Sequence, residues 1–188
     1  MKLNNIKFIK KRIIAAIILV CTLLFMIFGY VIYESYIVKY ESYIVKHAET
    51  YNIDKRLVMS IIKAESKFDR NARSNKDAMG LMQIMKVTAE WANEELKKES
   101  LEESDIYDVD TNIEIGCWYL DRLNKLYEGD ITLMAAAYNA GIGNVSKWLL
   151  KGTVTEDNIP FPETKKYVKK VKLNYEVYKK IYKGDHSK

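Results

Sequence analysis

Cysteine, histidine and proline are all scarce: the 188 residues hold two of each. Cys21 falls in an apolar run and Cys117 in a helical pattern far away, so no disulfide framework can be built from them. With only His47 and His186 besides, a zinc site has too few ligands, and the sequence gives no reason to expect a metal or other cofactor. Two prolines and eight glycines leave long stretches free to be helical. Alternating strands of useful length are also missing, which points to an all-α fold.

Acid is absent from the head of the chain. Lys2, Lys7, Lys10, Lys11 and Arg12 precede residue 13 with no Asp or Glu among them. They account for the net charge of +5, and the body of the chain is neutral overall. A general nucleic-acid binder carries its basic excess on the folded domain, so no nucleic-acid partner is expected.

What is abundant is a long apolar run. Residues 13–33 contain no charge, and as a helix they rise about 30 Å, the thickness of a hydrocarbon core. Basic residues before it and Glu34 and Glu41 after it predict a cytoplasmic N-terminus and a body outside. A cleaved signal peptide wants a shorter core and a small-residue cleavage site, and only Gly29 hints at one. A lipoprotein reading would use Cys21, but Val20 is too large for the position before it. The expected organisation is a basic head over 1–12, a single-pass anchor over 13–33, a stalk over 34–46 and a folded domain over 47–183.

The stalk assignment rests on a repeat. Residues 33–39 read YESYIVK, and residues 40–46 read the same. Seven residues are close to two helical turns, so like faces stack. The repeat reads either as a spacer lengthening the helix or as a short seam pairing two chains.

Helical spacing runs through the remainder. Asp54 is a good N-cap before Leu57, Val58, Ile61, Ile62, Glu65 and Phe68. Further helices are predicted over 78–92, 113–127 and 132–140, the last stopped by Gly141 and Gly143. Thr164 would cap a final helix reaching Tyr182. Residues 93–110 are acidic and irregular. The lysines of 165–183 read as a solvated helix face or as a surface for anionic polymers or headgroups.

Glu65 stands out on pattern alone, because it lies on or beside the apolar stripe of its helix. A carboxyl among apolar neighbours has its charged form disfavoured and can hold a proton near neutral pH. The alternative is a helix-edge glutamate paired with Lys67 or Arg70.

Six segments then recur in order: Glu65-Ser66-x-Phe68, Ala72-x-Ser74, Gly80-Leu-Met-Gln-Ile-Met85, Asn112-Ile113-x-x-Gly116-x-x-Tyr119-Leu120, Ala137-Tyr138-Asn139-Ala140-Gly141 and Glu163-Thr164-x-x-Tyr167-Val168. Together they resemble the lysozyme-like domain of lytic transglycosylases, over roughly residues 43–180. The resemblance implies an α-helical lysozyme-like fold, peptidoglycan strands as substrate and no cofactor. It implies that Glu65 is the catalytic acid and then base, cutting the β-1,4 bond after N-acetylmuramic acid to leave a 1,6-anhydro sugar. Ser74, Met82, Gln83, Tyr138, Asn139, Glu163 and Tyr167 would shape the substrate cleft. Lys86 stands where the family usually has proline, and Met79 where it has a small residue. A hydrolytic muramidase is the nearest alternative. It needs a second carboxylate, for which Asp77, Asp108 and Asp110 are candidates. An inactive wall-binding scaffold is an alternative of another class.

Overall fold

The computed structural model describes residues 2–35, 39–97 and 102–182. It divides into two units, Met1–Ile37 and Val38–Lys188.

The first unit is helix α1, Lys2–Ser35. Its stretch Lys11–Val31 is long and apolar enough to cross a membrane, and none of it is buried by protein.

The second unit is helical throughout, and its described residues contain no strand, only two isolated bridges joining Met79 to Arg73 and Ile84. Helix α2 spans Glu41–Thr50 and starts after Tyr40, whose φ of 63° is left-handed. This differs from a stalk ending at residue 46. The second copy of the repeat opens a new helix and belongs to the folded unit, because Ile44 is fully buried. His47 is buried too, its Nε2 lying 2.6 Å from Asp110 Oδ1, and Lys46 donates to the same carboxylate. Residues 36–38 of the first copy lie outside the described residues.

Helix α3, Lys55–Glu65, is capped as expected: Asp54 accepts from the Arg56 amide at 2.9 Å. Val58, Met59, Ile61 and Ile62 have no exposed surface, so α3 forms the centre of the unit. Each such side chain contributes about 1.5–3 kcal/mol of burial free energy. Helix α8, Pro162–Ile181, lies against α3 and α6 and adds Val168, Val171 and Tyr178 to the core. Tyr175 of α8 donates to Asp54 at 2.7 Å, tying the last helix to the cap of α3.

The helix expected over 78–92 begins later. Helix α4 spans Lys86–Leu96, and 78–85 is a compact turn. Gly80 has φ +74°, and a Cβ there would sit 2.4 Å from Asn112 Nδ2. Gln83 is also left-handed, at φ 50°, and its amide donates to the carbonyls of Ala72 and Gly80. These local bonds satisfy the backbone that a helix would otherwise have paired. Lys86 is the first residue of α4, a position that suits proline equally well.

A 3-10 turn, Glu103–Tyr107, leads to α5, Val109–Leu126, which Asp108 caps through Thr111 N. Helix α6, Ile131–Ala140, is capped by Asp130 and buries Met134 to Ala137. Gly141, at φ 85° and ψ 149°, stops it in a conformation open essentially to glycine alone. A short helix α7, Ile142–Leu149, follows at once, so Gly143 lies within a helix rather than ending one. Thr164 is no cap: α8 starts at Pro162, and the buried Thr164 hydroxyl donates to Asn139 Oδ1 at 2.7 Å.

Candidate active site

Glu65 is the last residue of α3. The chain turns sharply after it, with Lys67 and Phe68 both left-handed at φ 55° and 67°. Non-glycine residues held there store backbone strain, which packing must hold in place. Part of that hold is Ser66, whose hydroxyl donates to the Leu81 carbonyl at 2.8 Å. The end of α3 is thereby fixed to the turn 78–85. Asn112 fixes the turn from behind. It is buried, donates to the carbonyls of Met79 (3.0 Å) and Ile106 (2.7 Å), and accepts from the Met82 amide (2.8 Å).

These elements, with α6 and the start of α8, enclose an open cleft of about 670 Å³. Glu65, Ser74, Gln83, Tyr138, Asn139 and Glu163 line it, drawn from segments up to about a hundred residues apart. Ser74 is held by its own turn, its Oγ accepting from the amides of Lys76 and Ala78. Tyr138 donates to the Met82 carbonyl at 2.9 Å, locking α6 to the turn.

Two expected residues stand elsewhere. Met82 does not reach the cleft. It is 0% exposed, and its side chain fills the space that the lack of a Cβ at Gly116 leaves. Met85 lines the cleft instead, at 39% exposed. The signal was a period of two: in this non-helical stretch Met82 and Ile84 point inward, while Gln83 and Met85 face the groove. Tyr167 sits behind Glu65, 9% exposed, and donates its hydroxyl to Glu65 Oε1 at 2.7 Å. The acid's partner is therefore a tyrosine of α8, and neither Lys67 nor Arg70. The cleft also contains Asn75, Lys76, Asn144, Phe161 and Pro162, which lack a pattern that marks them in the sequence.

Burial pushes the Glu65 carboxyl up to about 7; the Tyr167 hydrogen bond and the Lys170 charge pull the other way without offsetting it. Tyr138 and Tyr167 are held well above the usual phenol range, first by burial and next by the charge of Glu65. Both remain donors at neutral pH. Asp77, Asp108 and Asp110 are engaged outside the cleft, by Arg73, by the α5 cap, and by Lys46 with His47.

A helical domain with a protonatable carboxyl set in a groove of amides, hydroxyls and rings has the makings of an acid–base site for a hydroxyl-rich chain. A family model described as the transglycosylase SLT domain matches residues 42–159. The chain belongs to that family. It is similar to the soluble lytic murein transglycosylase of Escherichia coli K12, 34% identical over 143 residues, covering 71% of this chain and 22% of that protein. It is also similar to the membrane-bound lytic murein transglycosylase C of Cronobacter sakazakii, 30% identical over 156 residues, covering 69% of this chain and 43% of that one. Among solved structures, an inactive Glu-to-Gln mutant of the lytic transglycosylase Slt from Pseudomonas aeruginosa superposes with a TM-score of 0.71 at 30% identity. That match covers 76% of this chain and 24% of the other. The chain thus spans less than half the length of either sequence relative, and the shared part is the lysozyme-like helical domain.

Proposed function

We propose that this protein is a membrane-anchored lytic transglycosylase that cuts peptidoglycan strands without water, using Glu65 alone as acid and then base. The observation that carries the reading is the state of Glu65: a cleft carboxyl raised to about 7 and aimed by the Tyr167 hydroxyl. The relatives' names support the substrate class, and the inactive Glu-to-Gln mutant of one of them supports an essential glutamate.

In the first step protonated Glu65 donates to the glycosidic oxygen between N-acetylmuramic acid and N-acetylglucosamine, and the C–O bond breaks. The carboxylate so formed takes the proton of the muramic C6 hydroxyl. That oxygen then bonds to its own anomeric carbon, giving a 1,6-anhydro sugar and restoring Glu65–H. The substrate supplies the nucleophile, so a second carboxylate is not required. Tyr167 aims the acid and steadies its anion, Tyr138 fixes the wall of the cleft, and Gln83, Met85, Asn139 and Ser74 contact the sugars.

Helix α1 fits an anchor, and a membrane-bound relative supports one. The basic head keeps the N-terminus inside, which puts the domain on the wall side. Among the named cleft residues Glu163 is the other carboxylate, so a hydrolytic muramidase would have to use it.

The test is mass spectrometry of peptidoglycan digested by the detergent-solubilised chain, its Glu65→Gln variant and its Glu163→Gln variant. Anhydro-muropeptides from the parent and none from Glu65→Gln support the reading. Reducing-end products that vanish in Glu163→Gln would make it a muramidase. A folded parent yielding no products on any wall preparation would favour a scaffold.

A further inference from the structure

A second groove, of about 530 Å³, opens between α4 and α5, with Ile142 of α7 at its edge. It shares no lining residue with the cleft. Ala140 and Asn144 line the cleft, but Ile142, between them in the chain, turns to this groove instead. A run of rings joins the two openings. Tyr138 of the cleft stands 5.5 Å from Tyr119, and Tyr119 stands 6.3 Å from Trp91 of the second groove, centre to centre.

The floor of this groove is aromatic and its polar heads are fixed. Trp118 is buried and meets Trp91 nearly at right angles, 5.0 Å between ring centres. The Arg122 guanidinium lies over both indoles, 4.4 Å from the centre of Trp91 and 5.4 Å from that of Trp118. Glu95 pins the stack, accepting from the Trp91 indole at 3.1 Å and from Arg122 at 2.5 Å. Lys125 donates to Asp121 at 2.6 Å. Acids and bases thus balance in pairs, and the groove offers an ion no net charge. The planar heads still have capacity to spare, because a guanidinium carries five N–H donors and a carboxylate about four acceptor positions. Leu126, 51% exposed, and Ile142 supply an apolar rim. A neutral chain that alternates hydroxyls and amides with apolar faces meets all of these features, and a glycan is such a chain. An amphipathic helix would need a continuous apolar floor, which Arg122 and Glu95 interrupt.

We propose that the groove between α4 and α5 is a second glycan-binding site, which holds a wall strand outside the catalytic cleft. This rests on the transglycosylase reading above for the identity of the polymer. A polymer held at two places binds more tightly than at either alone. The groove therefore sets how firmly the enzyme stays on the wall, and it takes no part in the chemistry at Glu65.

The experiment uses the full chain in detergent, carrying Glu65→Gln so that strands stay intact. Purified glycan strands, with their peptide stems and with the stems removed, are immobilised on a sensor surface, and the apparent Kd is read. Arg122→Gln removes the guanidinium fork, and Leu126→Ser removes the apolar rim. Both side chains are partly exposed near the end of α5, so each variant should unfold within about 4 °C of the parent. Together they should raise Kd about tenfold on both kinds of strand. Leu126→Ser alone should raise it about threefold, and it decides the matter if Arg122→Gln fails to fold. Unchanged binding by the folded variants would overturn the proposal and leave the transglycosylase reading intact. A loss confined to stem-bearing strands would also overturn it, because the groove would then be reading peptide. A folded parent that binds neither kind of strand would overturn both readings, since they share the polymer.

Discussion

Glu65 carries a cost that can be measured without substrate. In the unfolded chain its carboxyl ionises near the ordinary value of 4.5, and in the folded protein near 7. Below 4.5 both states hold the proton and the group is neutral towards stability. As pH rises through the interval, the unfolded chain releases its proton first, and the folded state loses ground until about pH 7. A gap of about 2.5 units corresponds to roughly 3 kcal/mol, and cleft water around a half-buried group reduces this to about 2 kcal/mol. Glu65→Gln removes the ionisation and retains an oxygen for the Tyr167 hydroxyl. The variant should therefore match the parent near pH 4 and exceed it by about 2 kcal/mol at pH 8, equivalent to a Tm higher by roughly 4–8 °C. Urea unfolding followed by the fluorescence of Trp91, Trp118 and Trp148, from pH 4 to 8, gives the difference directly. A gap independent of pH, or a variant less stable at pH 8, would refute the claim that burial raises this carboxyl.

Tyr167→Phe removes a hydrogen bond that favours the anion, so the alkaline fall of kcat/KM should move up by about one pH unit as the plateau drops about tenfold. A pH–rate profile reads both. Met82→Ala should destabilise by about 2–4 kcal/mol with little change in KM, because it opens a core cavity. Met85→Ala should do the reverse, raising KM several-fold with a stability change under about 0.5 kcal/mol, measured by kinetics beside denaturation. Asn112→Ala leaves the Met82 amide without its acceptor and takes a donor from the Met79 and Ile106 carbonyls, and it should cost about 3 kcal/mol in urea unfolding. Gly80→Ala meets both a positive φ and the fixed Asn112 amide, and it should lose at least about 2 kcal/mol with most of the activity.

Long periodic segments were legible from the residues. The apolar pattern of α3 and α5 and the cap at Asp54 follow from local chemistry that a sequence displays directly. Glu65 could be singled out because a charge on an apolar stripe is a conflict visible in one dimension. The turn 78–85 was not legible, since its apolar residues imitate a helix and the bonds that bend it come from Asn112 and Ala72, distant in the chain. Met82 was expected in the cleft from the resemblance alone, and the non-helical path of this turn buries it and turns Met85 to the groove instead. Tyr167 was expected to line the cleft, but it stands behind the acid, and its contact with Glu65 joins positions 102 apart, which no local pattern encodes. The repeat was read as a stalk, yet its second copy buries Ile44 inside the folded unit.

The central claim is that Glu65 activates a hydroxyl of the substrate and that water takes no part. Digestion of purified glycan strands by the full chain in 18O-labelled water tests it most directly, with mass spectrometry of the new muramic ends. The account predicts ends without 18O, each lighter by one water than a reducing end, and no new ends from Glu65→Gln. One 18O at each new end would mean that water is the nucleophile, and the single-carboxylate mechanism would be wrong.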